Sequence, residues 1–230
     1  MKQATIIRCV MTTAVAISPV TALGQDVGGN ADTTFKANSN VIQPVDPGDD
    51  KEIIPVYPPT AGPLSINYAS SISFGKQTIT NNDRIFHADM DLFTQKETGE
   101  TRQSPNFVQV TDLRGTGTGW VLSVRQNGPL LNEKGTSLAG ATLSVSAVSV
   151  KAQHGQEELV MESVVKDLAE DGSKQTILTT TAGKGMGTWN VYLGSESDVT
   201  QGVKLVVPKN QPKEGGKYFT TLTWLLEDVL

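Results

Sequence analysis

Cysteine is nearly absent: Cys9 is the one thiol in 230 residues. A single thiol excludes a disulfide framework and a thiolate metal cluster. Histidine is almost as scarce, with only His87 and His154, which is too little for a histidine-built zinc site. No metal or other cofactor is expected. An excess of positive charge is also missing: 19 basic residues face 24 acidic ones, a net charge of −5. Nucleic acid is therefore not the expected partner, because a duplex binder needs a basic face. Charged residues make up only 19% of the chain, which also has 22 glycine residues, and that balance favours short strands and turns over long amphipathic helices. No apolar run is long enough to span a bilayer.

The longest apolar stretch, Cys9 to Ala22, comes after Lys2 and Arg8 and ends in Ala22-Leu23-Gly24. A positive start, a short apolar centre and small residues before Gln25 predict a secretory signal peptide over residues 1–24. Without it the chain keeps 17 basic and 24 acidic residues, a net charge of −7, and no cysteine. Residues 25–62 carry Pro44, Pro47, Pro55, Pro58 and Pro59 together with six acidic side chains. Their apolar residues have no period, and such a stretch does not offset its own ordering entropy. A disordered linker is expected there. The Asp46–Glu52 cluster lacks the spaced ligands of a calcium loop and reads as solvated.

One domain, residues 63–230, is expected after the linker. Leu64, Ile66, Tyr68, Ile72 and Phe74 fall on even positions with polar residues between them, which predicts one long half-buried strand. Val108 and Val110 alternate with Gln109 and Thr111, and Val203, Leu205 and Val207 repeat the pattern. Leu143, Val145 and Ala147 alternate until the phase slips to Val148 and Val150, a sign of a bulge. The fold predicted is all-β, a single sandwich or barrel-like domain of about eight or nine strands. Residues 156–171 are the one candidate for a short helix.

Trp120, Trp189 and Trp224 each share a strand face with apolar residues two positions away. That spacing fits a core tryptophan and an exposed aromatic platform alike. Alternate glycines, Gly115, Gly117 and Gly119, lead into Trp120; Gly183, Gly185 and Gly187 lead towards Trp189. A phosphate loop would need a helix directly after its glycines. The segments after both runs are β-like, so the glycines predict close backbone approach or a bent strand.

The segments Leu113-Arg114-Gly115-Thr116-Gly117-Thr118-Gly119-Trp120-Val121-Leu122 and Tyr218-Phe219-Thr220-Thr221-Leu222-Thr223-Trp224-Leu225-Leu226-Glu227-Asp228 resemble the two signature segments of the WxL-domain family of Gram-positive surface proteins. Asp112, before the first, fits the pattern, and so does Gly-Met-Gly-Thr-Trp at 185–189. Leu225 and Val229 depart from it, where Thr and Pro are common. The resemblance spans residues 63–230. It implies non-covalent attachment to the wall by peptidoglycan binding, assembly with WxL-interacting proteins, and no enzymatic activity. The chain then reads as a nearly bare domain of this kind, secreted to the cell surface. On this reading the candidate binding residues are Trp120, Leu122, Trp224 and Leu226, with Arg114, Asp112 and Asp228 as hydrogen-bonding partners.

Residues from 63 on carry 15 basic and 18 acidic side chains. An anionic wall would repel such a domain overall, so attachment requires a specific site, and binding should survive raised salt. Docking onto a protein partner, without glycan contact, is the alternative use of the same motifs. Catalysis finds little support. Asp89 with Asp91 and Glu157 with Glu158 are pairs any acidic chain has, and neither histidine stands near a nucleophile elbow.

Overall fold

The computed structural model describes residues 33–154, 159, 164–209 and 213–229. Residues 1–34 form a unit of their own, of which only 33 and 34 are described. The predicted signal peptide lies outside the described residues.

Fifteen strands are described in residues 35–230. They are β1 (Leu64–Ala69), β2 (Arg84–His87), β3 (Asp91–Thr94), β4 (Thr101–Ser104) and β5 (Phe107–Asp112), followed by β6 (Trp120–Gln126), β7 (Leu131–Asn132), β8 (Thr142–Ala147), β9 (Ser149–Ala152) and β10 (Val164–Leu168). The remainder are β11 (Gln175–Thr179), β12 (Gly187–Tyr192), β13 (Lys204–Val207), β14 (Tyr218–Phe219) and β15 (Leu222–Asp228). The one helical turn among the described residues is of 3-10 type, Val199–Gln201. The all-β expectation holds. The strand count exceeds the eight or nine expected because several strands have only two to four residues, too short for a period to register in sequence.

Three sheets carry the core, in the orders β1-β5-β12-β9, β10-β8-β13-β2 and β11-β6-β15, and every strand pair is antiparallel. Val108 and Val110 of β5, Val145 and Ala147 of β8 and Val191 of β12 meet in one buried cluster with Trp120, Leu122, Val124 and Trp189. The phase slip after Ala147 has a larger cause than a bulge. β8 pairs with β10 and β13, whereas β9 pairs with β12, so the chain changes sheet at Val148. Such corners reverse the inward-facing set.

Three expectations are corrected. The strand begun at Leu64 ends at Ala69; Ile72 and Phe74 leave the sheet in a loop yet still pack against the core. The helix expected at 156–171 fails at its described end, where Val164–Leu168 is strand paired with β8; Leu159 is described outside any helix, and the rest lies outside the described residues. Residues 44–54, part of the expected disordered linker 25–62 and including the Asp46–Glu52 cluster expected to be solvated, are packed.

In that segment Ile53 is fully buried with Tyr68, Phe93 and Phe107. Ile54 N–H donates to Thr94 O at 2.9 Å and Lys96 N–H to Glu52 O at 2.8 Å. Asp46 is 3% exposed and accepts from Gln95 Nε2 at 2.8 Å. Gln109, on the polar side of β5, donates to Val45 O at 2.9 Å and accepts from Val45 N–H at 3.0 Å. All six residues of β5 are thereby buried. The acidic side chains are ordered because amides and cations meet them: Gln153 Nε2 on Asp50 and Lys96 on Glu52.

Candidate functional site

β6 and β15 pair antiparallel along their whole length, with Leu122 opposite Leu226, Trp224 opposite Val124 and Asp228 opposite Trp120. The two Trp-x-Leu motifs, far apart in the chain, are therefore neighbours in one sheet. Directly opposed residues share a face, so the two leucines meet at the centre and each tryptophan lies towards one end.

The two motifs differ in exposure. Trp120 and Leu122 are fully buried. The Trp120 indole Nε1–H donates to Gly185 O at 2.9 Å, its backbone N–H donates to Thr180 Oγ1 at 2.8 Å, and Thr180 N–H returns a bond to Trp120 O at 2.9 Å. The glycine runs make this possible. Gly117 O accepts from Gly183 N–H at 2.7 Å, which brings the two runs together. A Cβ on Gly119 would stand 2.6 Å from Thr180 O, and one on Gly185 would stand 2.7 Å from Trp120 Nε1; both residues have φ above +80°. Trp189 is likewise a core residue, 3% exposed, with Nε1–H donating to Met186 O at 2.9 Å. Trp224 and Leu226, by contrast, are half-buried.

The polar candidates converge at one end of the strand pair. Arg114 grips Asp112 with a two-pronged contact, Nε to Oδ1 at 2.9 Å and Nη2 to Oδ2 at 2.8 Å. Nη2 also donates to Gly119 O at 2.7 Å. Nη1 forms a close ion pair with Asp228 Oδ1 at 2.5 Å, without the alignment of a hydrogen bond. Thr118 Oγ1 donates to the same oxygen at 2.8 Å. The Asp112 carboxylate is fully buried and Arg114 is 11% exposed, while Asp228 is 49% exposed. The hydrogen bonds to Asp112 hold the Arg114 guanidinium above its ordinary pKa, and Arg114 followed by Thr118 holds Asp228 below the usual carboxylate range. Both oxygens of Asp112 are engaged by Arg114, and it is Arg114 and Thr118 on Asp228 that fasten the glycine loop to the end of β15.

A cleft of about 790 Å³ opens at the other end of β15, lined by Trp224 and Leu222. Its floor is formed by Leu130, Leu138, Leu143, Leu205 and Val207, which belong mostly to the second buried cluster of the domain. The loop after β1, residues 70–80, and the segment 213–221 form its walls. Of these wall residues sequence periodicity marks only Ile72 and Phe74, because 70–80 is a loop and β14, within 213–221, has only two residues.

Two of the other carboxylates weighed in the sequence hold hydroxyl groups. Asp91 is buried and accepts from Tyr68 and Ser70 hydroxyls at 2.8 and 2.6 Å, and Asp89 accepts from Ser73 at 3.2 Å. His154 is exposed and lies 3.2 Å from Asp50. Glu157 and Glu158 lie outside the described residues. Among the described residues, no cluster of three or more His, Cys, Asp or Glu is arranged to hold a metal ion, and no helix is long and apolar enough to cross a membrane.

This all-β domain seals Trp120 and Leu122 of one motif in its core, while Trp224 of the other lines a cleft. Residues 22–229 match the family model described as WxL domain surface cell wall-binding, and the chain belongs to that family. The match includes the packed segment 44–54. Comparison with curated proteins gives no match. Membership places the protein at the cell surface, with the cell wall as its attachment.

Proposed function

We propose that this protein attaches non-covalently to the Gram-positive cell wall by binding peptidoglycan, as a secreted, non-enzymatic subunit of a surface complex. The observation that carries this reading is the half-buried Trp224 in the lining of a large cleft, joined to a family described as cell wall-binding. The first motif cannot take part directly, since Trp120 and Leu122 have no solvent-accessible surface. Contact with the wall therefore falls to Trp224 and the residues around it.

The test is co-sedimentation of the purified full-length chain with sacculi stripped of protein and teichoic acid. The parent sediments. Trp224→Ala, with its fold verified by circular dichroism, stays largely in solution.

A second reading is docking onto a WxL-interacting protein without glycan contact. It is favoured by two strands at sheet edges: among the described residues β2 pairs only with β13 and β15 only with β6. Such edges accept an added strand. A parent chain that stays in solution with bare sacculi, but is retained when the partner protein is present, would favour this reading.

A further inference from the structure

We propose that the part of peptidoglycan held in the Trp224 cleft is the carboxylate-bearing peptide stem and not the sugar strand; this rests on the wall-binding reading above. The chemistry of the floor argues first. Leu130, Leu138, Leu143, Leu205 and Val207 line it, and none of their side chains offers a hydrogen bond. A sugar ring carries hydroxyls around its whole edge. Burying one without a partner costs about 1–3 kcal/mol. Alanyl methyls and the aliphatic part of a diamino acid carry no such penalty on an apolar floor.

Charge at the rim argues second. The whole chain is acidic, yet Arg84 and Lys217 line this cleft with one carboxylate, Glu214. Glu214 already has a cation 3.5 Å away, Lys134. Arg84 is steadied by a 3.3 Å bond from Nε to Thr80 Oγ1. A cationic rim suits a ligand with free carboxylates, which a peptide stem carries at its side chains and its end; the sugar strand's own lactyl carboxyls are uncharged wherever they are amide-linked to a stem.

Backbone chemistry argues third. β2 supplies Arg84 and Phe86 to the cleft and β15 supplies Leu222 and Trp224, and each is an edge strand among the described residues. Edge N–H and C=O groups pair with peptide amides. Ser71, Ser73, Thr78, Gln77, Thr220 and Thr221 at the mouth add donors and acceptors for the same groups. The volume falls within the range that encloses a small ligand.

The experiment competes the full-length chain off stripped sacculi with two soluble probes: stem peptides released by an amidase, and neutral glycan strands of β-1,4-linked N-acetylglucosamine, which carry no lactyl carboxylate. The inference expects the stem peptides to displace the protein and the glycan strands to have no effect. The double variant Arg84→Glu, Lys217→Glu should sediment at least about tenfold more weakly, as expected for two lost charge-assisted contacts. Arg125→Glu, an exposed charge outside the cleft, should bind as the parent does. Displacement by glycan strands, or by neither probe, overturns the inference while wall binding stands. Failure of the parent to sediment overturns the wall-binding reading and the inference with it. Sedimentation that occurs only before teichoic acid is removed overturns both as stated and points to wall phosphate.

Discussion

Arg114 Nη1 stands 2.5 Å from Asp228 Oδ1, so the loop that opens the first Trp-x-Leu motif is tied to the residue that closes the second. The tie passes through Arg114 to Asp112, whose carboxylate has no solvent exposure. Removing Arg114 would leave that carboxylate buried and unpaired. Arg114→Ala should destabilise the domain by about 3–5 kcal/mol, read as a lower urea midpoint. Asp228→Asn should cost much less, because Asp228 is half exposed and its ion pair is screened by water.

The same ion pair sets a pH dependence. Asp228 has its pKa lowered from 3.8, chiefly by Arg114. The unfolded chain therefore takes up this proton at a higher pH than the folded one does, so stability falls as pH falls. The contribution is fully present above pH 3.8 and is lost as pH drops through the lower, folded value. Urea midpoints measured from about pH 5 downwards should fall more steeply for the parent than for Asp228→Asn. Parallel curves would contradict this assignment.

Gly119 and Gly115 make a matched pair. Both have positive φ, but a Cβ at 119 meets Thr180 O at 2.6 Å whereas one at 115 meets nothing within 4 Å. Gly115→Ala should cost about 1 kcal/mol from backbone strain alone. Gly119→Ala adds a clash with backbone and should cost about 3 kcal/mol or more. Thermal melts of the two variants test the difference.

The two motif tryptophans should separate by experiment. Trp120→Ala opens a cavity in the main core and should cost about 3–5 kcal/mol. Trp224→Ala should lose less stability and more binding. Fluorescence quenching by acrylamide should divide the same way: Trp224 supplies most of the quenchable emission, since Trp120 and Trp189 are buried.

Attachment should persist at about 0.5 M salt, where the Debye length has shrunk below its physiological value of about 8 Å. Close contacts inside a cleft are screened less than long-range attraction, and a secreted chain of net charge −7, without Lys2 and Arg8, has no long-range attraction to an anionic wall. Sacculi washed at low and high salt should retain most of the protein in both cases. Complete release by moderate salt would mean simple adsorption.

Local pattern determined a good deal of this protein by itself. Alternation marked Leu64, Val108, Leu143 and Leu205 as strand residues, since side chains on a pleated strand repeat every two positions whatever the strand pairs with. Alternate glycines announced close backbone approach, because a missing Cβ serves little else at such spacing. Tertiary structure alone decided what each face meets. Trp120 and Trp224 have the same local pattern, yet one is sealed under Gly185 and Thr180 while the other borders a cleft; the difference lies in loops far away in the chain. The acidic run 46–52 looked solvated until Gln95, Gln153 and Lys96, all distant in sequence, supplied its partners. The cleft itself joins loop residues 70–80 to 213–221. Loops carry no period, so the walls of the candidate site exist only once the sheets have brought them together.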